Sequence, residues 1–114
     1  MTSPAIFETI KKTLSSHDVV LFMKGTAEFP ACGFSNLVVQ VLETLNVPFH
    51  DVNILEDQDL RQGIKDYTNW PTIPQLYIKG EFIGGADIVR ELYQSGEFED
   101  LLKSKNITHT PEAA

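Results

Sequence analysis

Cys32 is the single cysteine of the chain, and it stands in the run Pro30-Ala31-Cys32-Gly33-Phe34-Ser35, where a loop after an apolar strand passes into a helix. A helix start leaves backbone N–H groups unpaired and carries a partial positive charge, so a thiol placed there is pushed toward thiolate. A thiolate is both a nucleophile and a metal ligand, which makes Cys32 a candidate for either chemistry. A lone thiol is also explained as a small buried apolar side chain. Its position argues otherwise, because the apolar face of the coming helix begins only at Leu37. Lys24, at the carboxyl end of the preceding strand, is the cation that would deepen the effect. One cysteine excludes an internal disulfide and any zinc or iron site built from several cysteines of one chain. A metal at Cys32 must therefore draw its other ligands from other molecules.

The elements that position these residues are legible from periodicity and punctuation. Ser3 and Pro4 open a first helix with Phe7, Ile10 and Leu14 at helical spacing, and Val19 to Met23 is a continuously apolar strand. After the Cys32 loop, Leu37, Val38, Val41, Leu42 and Leu45 form one face of a second helix. His50, Val52 and Ile54 alternate as a second strand. Asp57 caps a third helix with Leu60, Ile64 and Tyr67 inward, leaving Arg61 and Lys65 on another face. Gln75 to Ile78 and Glu81 to Ile83 form a hairpin across Lys79-Gly80. Asp87 caps a fourth helix with Ile88 and Leu92 inward, and Gly96 separates it from a short fifth around Phe98, Leu101 and Leu102. Strand, crossover helix and strand must be parallel, and the hairpin adds an antiparallel pair. The fold class is α/β, a four-stranded mixed β-sheet flanked by helices, with ligands outside the carboxyl ends of the parallel strands, where Lys24 and Cys32 lie.

Residues 1–105 are read as one domain and 106–114 as a flexible tail. A formal charge of −7 argues against a nucleic-acid-binding face, and no apolar run approaches the roughly 20 residues that span a bilayer. The start, Met1-Thr2-Ser3-Pro4, has no charged region followed by an apolar one, so the chain is expected to be soluble and not secreted.

Met23-Lys24-Gly25-Thr26, Cys32-Gly33-Phe34-Ser35, Trp70-Pro71-Thr72-Ile73-Pro74-Gln75 and Gly84-Gly85-x-Asp87, in that order, resemble the monothiol glutaredoxins of the Cys-Gly-Phe-Ser class. The resemblance runs from about Val19 to Leu102. It implies a thioredoxin-like fold, a redox-active center at Cys32, glutathione as ligand, and a [2Fe-2S] cluster shared between two subunits, hence links to electron transfer. Counting agrees: such a cluster takes four ligands, two chains supply two thiolates, and two glutathiones complete the set. On this reading Arg61 and Lys65 pair the glycyl carboxylate, and N–H groups around Gly85, Ala86 and Asp87 take the glutamyl carboxylate while the Asp87 side chain takes its amine. Thr72, Ile73 and Pro74 complete the binding set, Pro74 being cis by resemblance, with the backbone of Ile73 pairing the cysteinyl unit like an added strand.

Plainer readings stand beside these. Arg61 and Lys65 serve equally as solvent-facing charges, Asp87 as a cap, Gly84 and Gly85 as a turn, and Trp70 as packing. Phe34 either lies over the thiol or packs inward, and His17, His50 and His109 share no ligand spacing with Cys32. One departure bears on mechanism: many relatives carry a second cysteine directly after the paired glycines, where this chain has Ala86. A redox cycle that needs two thiols of one chain is weakened, and cluster ligation is untouched.

The expected function is therefore a homodimeric cluster carrier, in iron-sulfur cluster assembly and iron homeostasis, that passes its cargo to acceptor proteins. The alternative is a glutathione-dependent thiol-disulfide oxidoreductase, weak by resemblance because of the longer loop Thr26 to Ala31. A third reading, also by resemblance, pairs the chain with a BolA-like protein through the same cluster. The expected setting is the cytoplasm if the source is bacterial, or the mitochondrial matrix if the chain is a trimmed mature form.

Overall fold

The computed structural model describes residues 2–111. Four strands, β1 (Val19–Met23), β2 (His50–Asn53), β3 (Gln75–Ile78) and β4 (Glu81–Gly84), form one mixed sheet in the order β2-β1-β3-β4. β1 runs parallel to β2 and antiparallel to β3, and β3 is antiparallel to β4. Five helices flank it: α1 (Pro4–Ser16), α2 (Gly33–Thr44), α3 (Gln58–Thr68), α4 (Ala86–Ser95) and α5 (Glu97–Ser104). This is the thioredoxin-like arrangement that the resemblance implied.

The continuous apolar run of β1 is explained by burial on both faces. Val20 and Phe22 pack with Ile10, Leu14 and Ile64 of α1 and α3, while Val19, Leu21 and Met23 pack with Val38, Leu42, Val89 and Phe98 of α2, α4 and α5. Every residue of β1 is buried, so its period-2 alternation separates two cores rather than core from water. The sheet is thus the middle layer of three, with its parallel strands aiming their carboxyl ends toward the start of α2.

Local signals predicted from sequence mostly appear where expected. Ser3 caps α1 with Pro4 at its first position, and Asp57 caps α3 by accepting from the N–H groups of Asp59 and Leu60. α4 departs from expectation. Its cap is Gly85, with no side-chain hydrogen bond, and Asp87 lies inside the first turn, where it pairs with Arg90 at 3.2 Å. Its buried stripe runs through Ala86 and Val89, which leaves Ile88 exposed, because the helix begins one residue past the paired glycines and its register is rotated accordingly. The stretch expected as a loose tail, 106–114, makes contacts over its described part. Ile107 is buried in the core, and Thr110 N–H donates to Leu45 O at 2.7 Å, so the chain stays packed to that point. The apolar Ile107 is what anchors this otherwise polar stretch; residues 112–114 lie outside the described ones.

Candidate functional site

Cys32 is the N-cap of α2, in extended conformation, and its sulfur accepts from the backbone N–H of Ser35 at 3.4 Å. The fully buried Ser35 hydroxyl lies 3.4 Å from the same sulfur and accepts from Lys24 N–H at 3.1 Å. Because that oxygen already accepts from the backbone, its own proton is free to point at a thiolate. Partial burial alone would raise the Cys32 pKa. It is outweighed by hydrogen bonds from the Ser35 hydroxyl and from the Ser35 and Phe34 N–H groups, with the Lys24 charge adding to them, so the thiol is held below its ordinary value.

The loop before the thiol is a tight, pinned turn. Thr26 and Phe29 exchange backbone bonds, Ala31 N–H donates to Lys24 O at 2.8 Å, and Gly25 bridges Pro30. Gly25 has φ +87°, and a Cβ there would meet Phe29 O at 2.5 Å, so the close return of the chain demands glycine. From β2, Asn53 Oδ1 accepts from Gly25 N–H at 3.0 Å and Asp51 Oδ2 from Ala27 N–H at 2.8 Å. The loop tip presents Phe29, 79% exposed, and the helix start presents Phe34, 64% exposed.

Beside this thiol opens a cavity of about 400 Å³. Lys24, Arg61, Lys65, Thr72, Ile73, Pro74, Gly85, Ala86 and Asp87, the residues singled out from sequence as ligand contacts, all line it. Cys32 itself is not in its wall; Lys24, whose charge acts on the thiol, and Phe34, two residues further on, connect the two. Lys24, Arg61 and Lys65 are half-buried, and none takes part in an ion pair among the described residues. The start of α4, whose first N–H groups no side chain caps, lines the same cavity. Ile73, joined to Pro74 by a cis peptide bond, has no hydrogen-bond partner for its own N–H or C=O among the described residues. The cavity therefore gathers three cations, the N–H groups of a helix start and the backbone of Ile73, which has no partner among the described residues.

Sequence reasoning missed Ser35 as the thiol's partner and Ile88 and Pro71 as cavity walls, and left Phe34 and Trp70 open; Phe34 and Trp70 both line the cavity. Ser35 was detectable, because the third helical residue is where an N-cap side chain finds its donor. Ile88 was not, because its exposure depends on the register of α4. The histidines stay apart from the site: His17 and His50 stack on each other with ring centroids 4.0 Å apart, and His109 Nδ1 lies 2.8 Å from Ile107 O. Among the described residues no three His, Cys, Asp or Glu side chains converge as a metal site.

Comparison with known proteins gives consistent matches. The glutaredoxin family profile matches residues 19–83. Over 98 residues the chain is 60% identical to a monothiol glutaredoxin of Arabidopsis thaliana, S14, described as chloroplastic, covering 86% of this chain and 57% of that protein. It is 50% identical over 101 residues to an uncharacterized ycf64-like monothiol glutaredoxin of a Synechocystis species, covering 89% of this chain and 94% of that protein. The chain thus spans less than two thirds of the Arabidopsis relative and nearly all of the Synechocystis one. Among solved structures, reduced poplar apo GrxS14 matches with a TM-score of 0.80 and 57% identity, over 90% of this chain and 94% of that one.

Proposed function

The chain belongs to the glutaredoxin family, among its monothiol members, and from that premise we propose that it binds glutathione beside Cys32, carries a [2Fe-2S] cluster between two copies, and hands that cargo to acceptor proteins. The observation that supports glutathione is the cavity's charge. In a chain of formal charge −7, Lys24, Arg61 and Lys65 line one cavity and form no ion pair among the described residues; the wall also holds an uncapped helix start, with Asp87 in its first turn. A small peptide with a carboxylate at each end satisfies both. The Arg61 fork and Lys65 take the glycyl carboxylate, the N–H groups of Ala86 and Asp87 take the glutamyl one, and Ile73 pairs the peptide between them. Asp87 reaches the glutamyl amine by giving up an exposed pairing with Arg90 that is worth about 1 kcal/mol or less.

The donor set fits the cluster only as shared cargo. Cys32 is the one thiol in the chain, and among the described residues no acidic or histidine cluster accompanies it, so the remaining thiolates must come from a second chain and from glutathione. The residues of this chain supply a stabilised thiolate, through Ser35 and Lys24, and a seat for the glutathione that supplies the next. Detachable ligands of this kind suit transfer better than retention.

Anaerobic reconstitution with iron, sulfide and reduced glutathione tests this, read by visible absorption, iron per chain and solution mass. A cluster that forms only with glutathione, at one per two chains, and is lost with Cys32→Ser or depleted with Arg61→Ala, is the expected result. A monomer that never holds iron would sink the reading and favour oxidoreductase chemistry. There the Cys32 thiolate attacks a protein–glutathione disulfide, releasing the protein thiolate, and a second glutathione displaces the first as glutathione disulfide.

A further inference from the structure

We propose that Gln75, which does not line the cavity, is the positioning residue that holds the cavity's Trp70–Thr72 wall in place. Its side chain is fully buried at the start of β3. The amide nitrogen donates to Trp70 O and to Thr72 O, each at 3.2 Å, while the amide oxygen accepts from the Tyr77 hydroxyl at 2.9 Å and faces the Thr68 hydroxyl at 3.1 Å. The orientation is dictated by chemistry: two carbonyls can only accept, so the nitrogen must face them and the oxygen must face the hydroxyls. Burial pushes the Tyr77 phenol up to about 12, so it remains a donor across the ordinary pH range.

What gives this amide its leverage is the poverty of the segment that it grips. Trp70 N–H closes the end of α3 on Lys65 O, but residues 71–74 make no backbone–backbone hydrogen bond among the described residues. Two of these residues are prolines, Pro71 and Pro74, which have no N–H to donate. The segment's polar attachment to the body is therefore the pair of bonds from Gln75, helped by ring contact of Trp70 with Phe82 at 5.7 Å. Attaching the segment through carbonyls of Trp70 and Thr72 leaves the N–H and C=O of Ile73 free for a bound peptide. A side chain behind the wall thus sets how the wall meets its ligand, an inference that rests on the glutathione reading.

The test uses Gln75→Met, which keeps length but loses every hydrogen bond, and Gln75→Glu, which keeps the accepting oxygen but loses the amide donors. Tyr77→Phe is the control, because it removes a bond to the amide oxygen and leaves both carbonyl bonds. Trp70 is the only tryptophan, so its fluorescence reports the wall directly, and NMR titration with reduced glutathione reports binding. Both Gln75 variants should red-shift Trp70 emission and weaken glutathione binding roughly five- to tenfold, while Tyr77→Phe lowers thermal stability and leaves both readouts near wild type. Unchanged emission in both Gln75 variants, the same shift in Tyr77→Phe, or failure of both Gln75 variants to fold would overturn the proposal, the last two by making Gln75 a general structural residue. If instead wild-type protein and Arg61→Ala titrate alike with glutathione, the glutathione reading fails, and Trp70 emission alone decides whether Gln75 holds the wall.

Discussion

At the scale of single residues, the reactivity of this chain depends on how one sulfur is surrounded. The Ser35 hydroxyl accepts from Lys24 N–H, tying the end of β1 to the start of α2, and lies 3.4 Å from the Cys32 sulfur, to which it can donate once the thiol is ionised. Cys32→Ser would keep an N-cap, whereas Ser35→Ala removes the hydroxyl and strands the Lys24 N–H, at a stability cost of about 1–3 kcal/mol. The thiol pKa is lowered, so thiolate persists as pH falls below the ordinary thiol range and is lost only when pH passes through the depressed value. The rate of Cys32 alkylation against pH should therefore have its midpoint below that of a free thiol. In Ser35→Ala the midpoint should move back up toward it, and Lys24→Ala should give a smaller rise; an unmoved midpoint in Ser35→Ala would show that the hydroxyl does not stabilise the thiolate. The cysteine itself was legible from the motif. The bond from Lys24 N–H to the Ser35 hydroxyl was not, because it joins residues eleven apart through a strand end and a helix start that meet only after folding.

At the scale of elements, Gly63 illustrates what packing adds. Within α3 it reads as a weak spot, since glycine in a helix costs about 1 kcal/mol relative to alanine. A Cβ at Gly63 would lie 2.4 Å from Ile6 Cγ2 of α1, a methyl held on a β-branched carbon that cannot swing away freely. Gly63→Ala should therefore destabilise by roughly 1–3 kcal/mol despite its better helix propensity, which urea unfolding would detect as a lower midpoint. A raised midpoint would mean that α1 can shift without penalty. The same dependence on neighbours explains α4: periodicity found the helix, but which of Ile88 and Val89 faces the core was set by where the chain left β4. Val89 went inward, and Ile88 became part of the cavity.

At the scale of the whole molecule, one of the two cores beside β1 is closed partly by residues near the end of the described chain. Ile107 lies in the α2, α4 and α5 core with Leu45 and Leu102, and Thr110 bonds to Leu45 O. Ile107→Ala should cost about 2–4 kcal/mol in thermal or chemical unfolding, as for other buried isoleucines. A change near zero would return this stretch to the loose tail that its polar composition suggested. The molecule's charge follows the same division between local and global information. The sequence is acidic as a whole, yet folding gathers onto one cavity three cations that form no ion pair among the described residues.

By itself, the sequence determined the thiol at a helix start, the five helices and four strands, the mixed sheet and the motif resemblance, because each rests on residues near one another in the chain. The resemblance had grouped Arg61, Lys65, Thr72, Ile73 and the α4 start as one binding set, but only the tertiary structure put them and Lys24 around one cavity, and only it decided that Ser35 rather than the helix alone steadies the sulfur and that Gln75 grips the wall from behind. Those facts depend on distances between distant segments, and such distances are set by how the sheet and helices pack, which local periodicity does not encode.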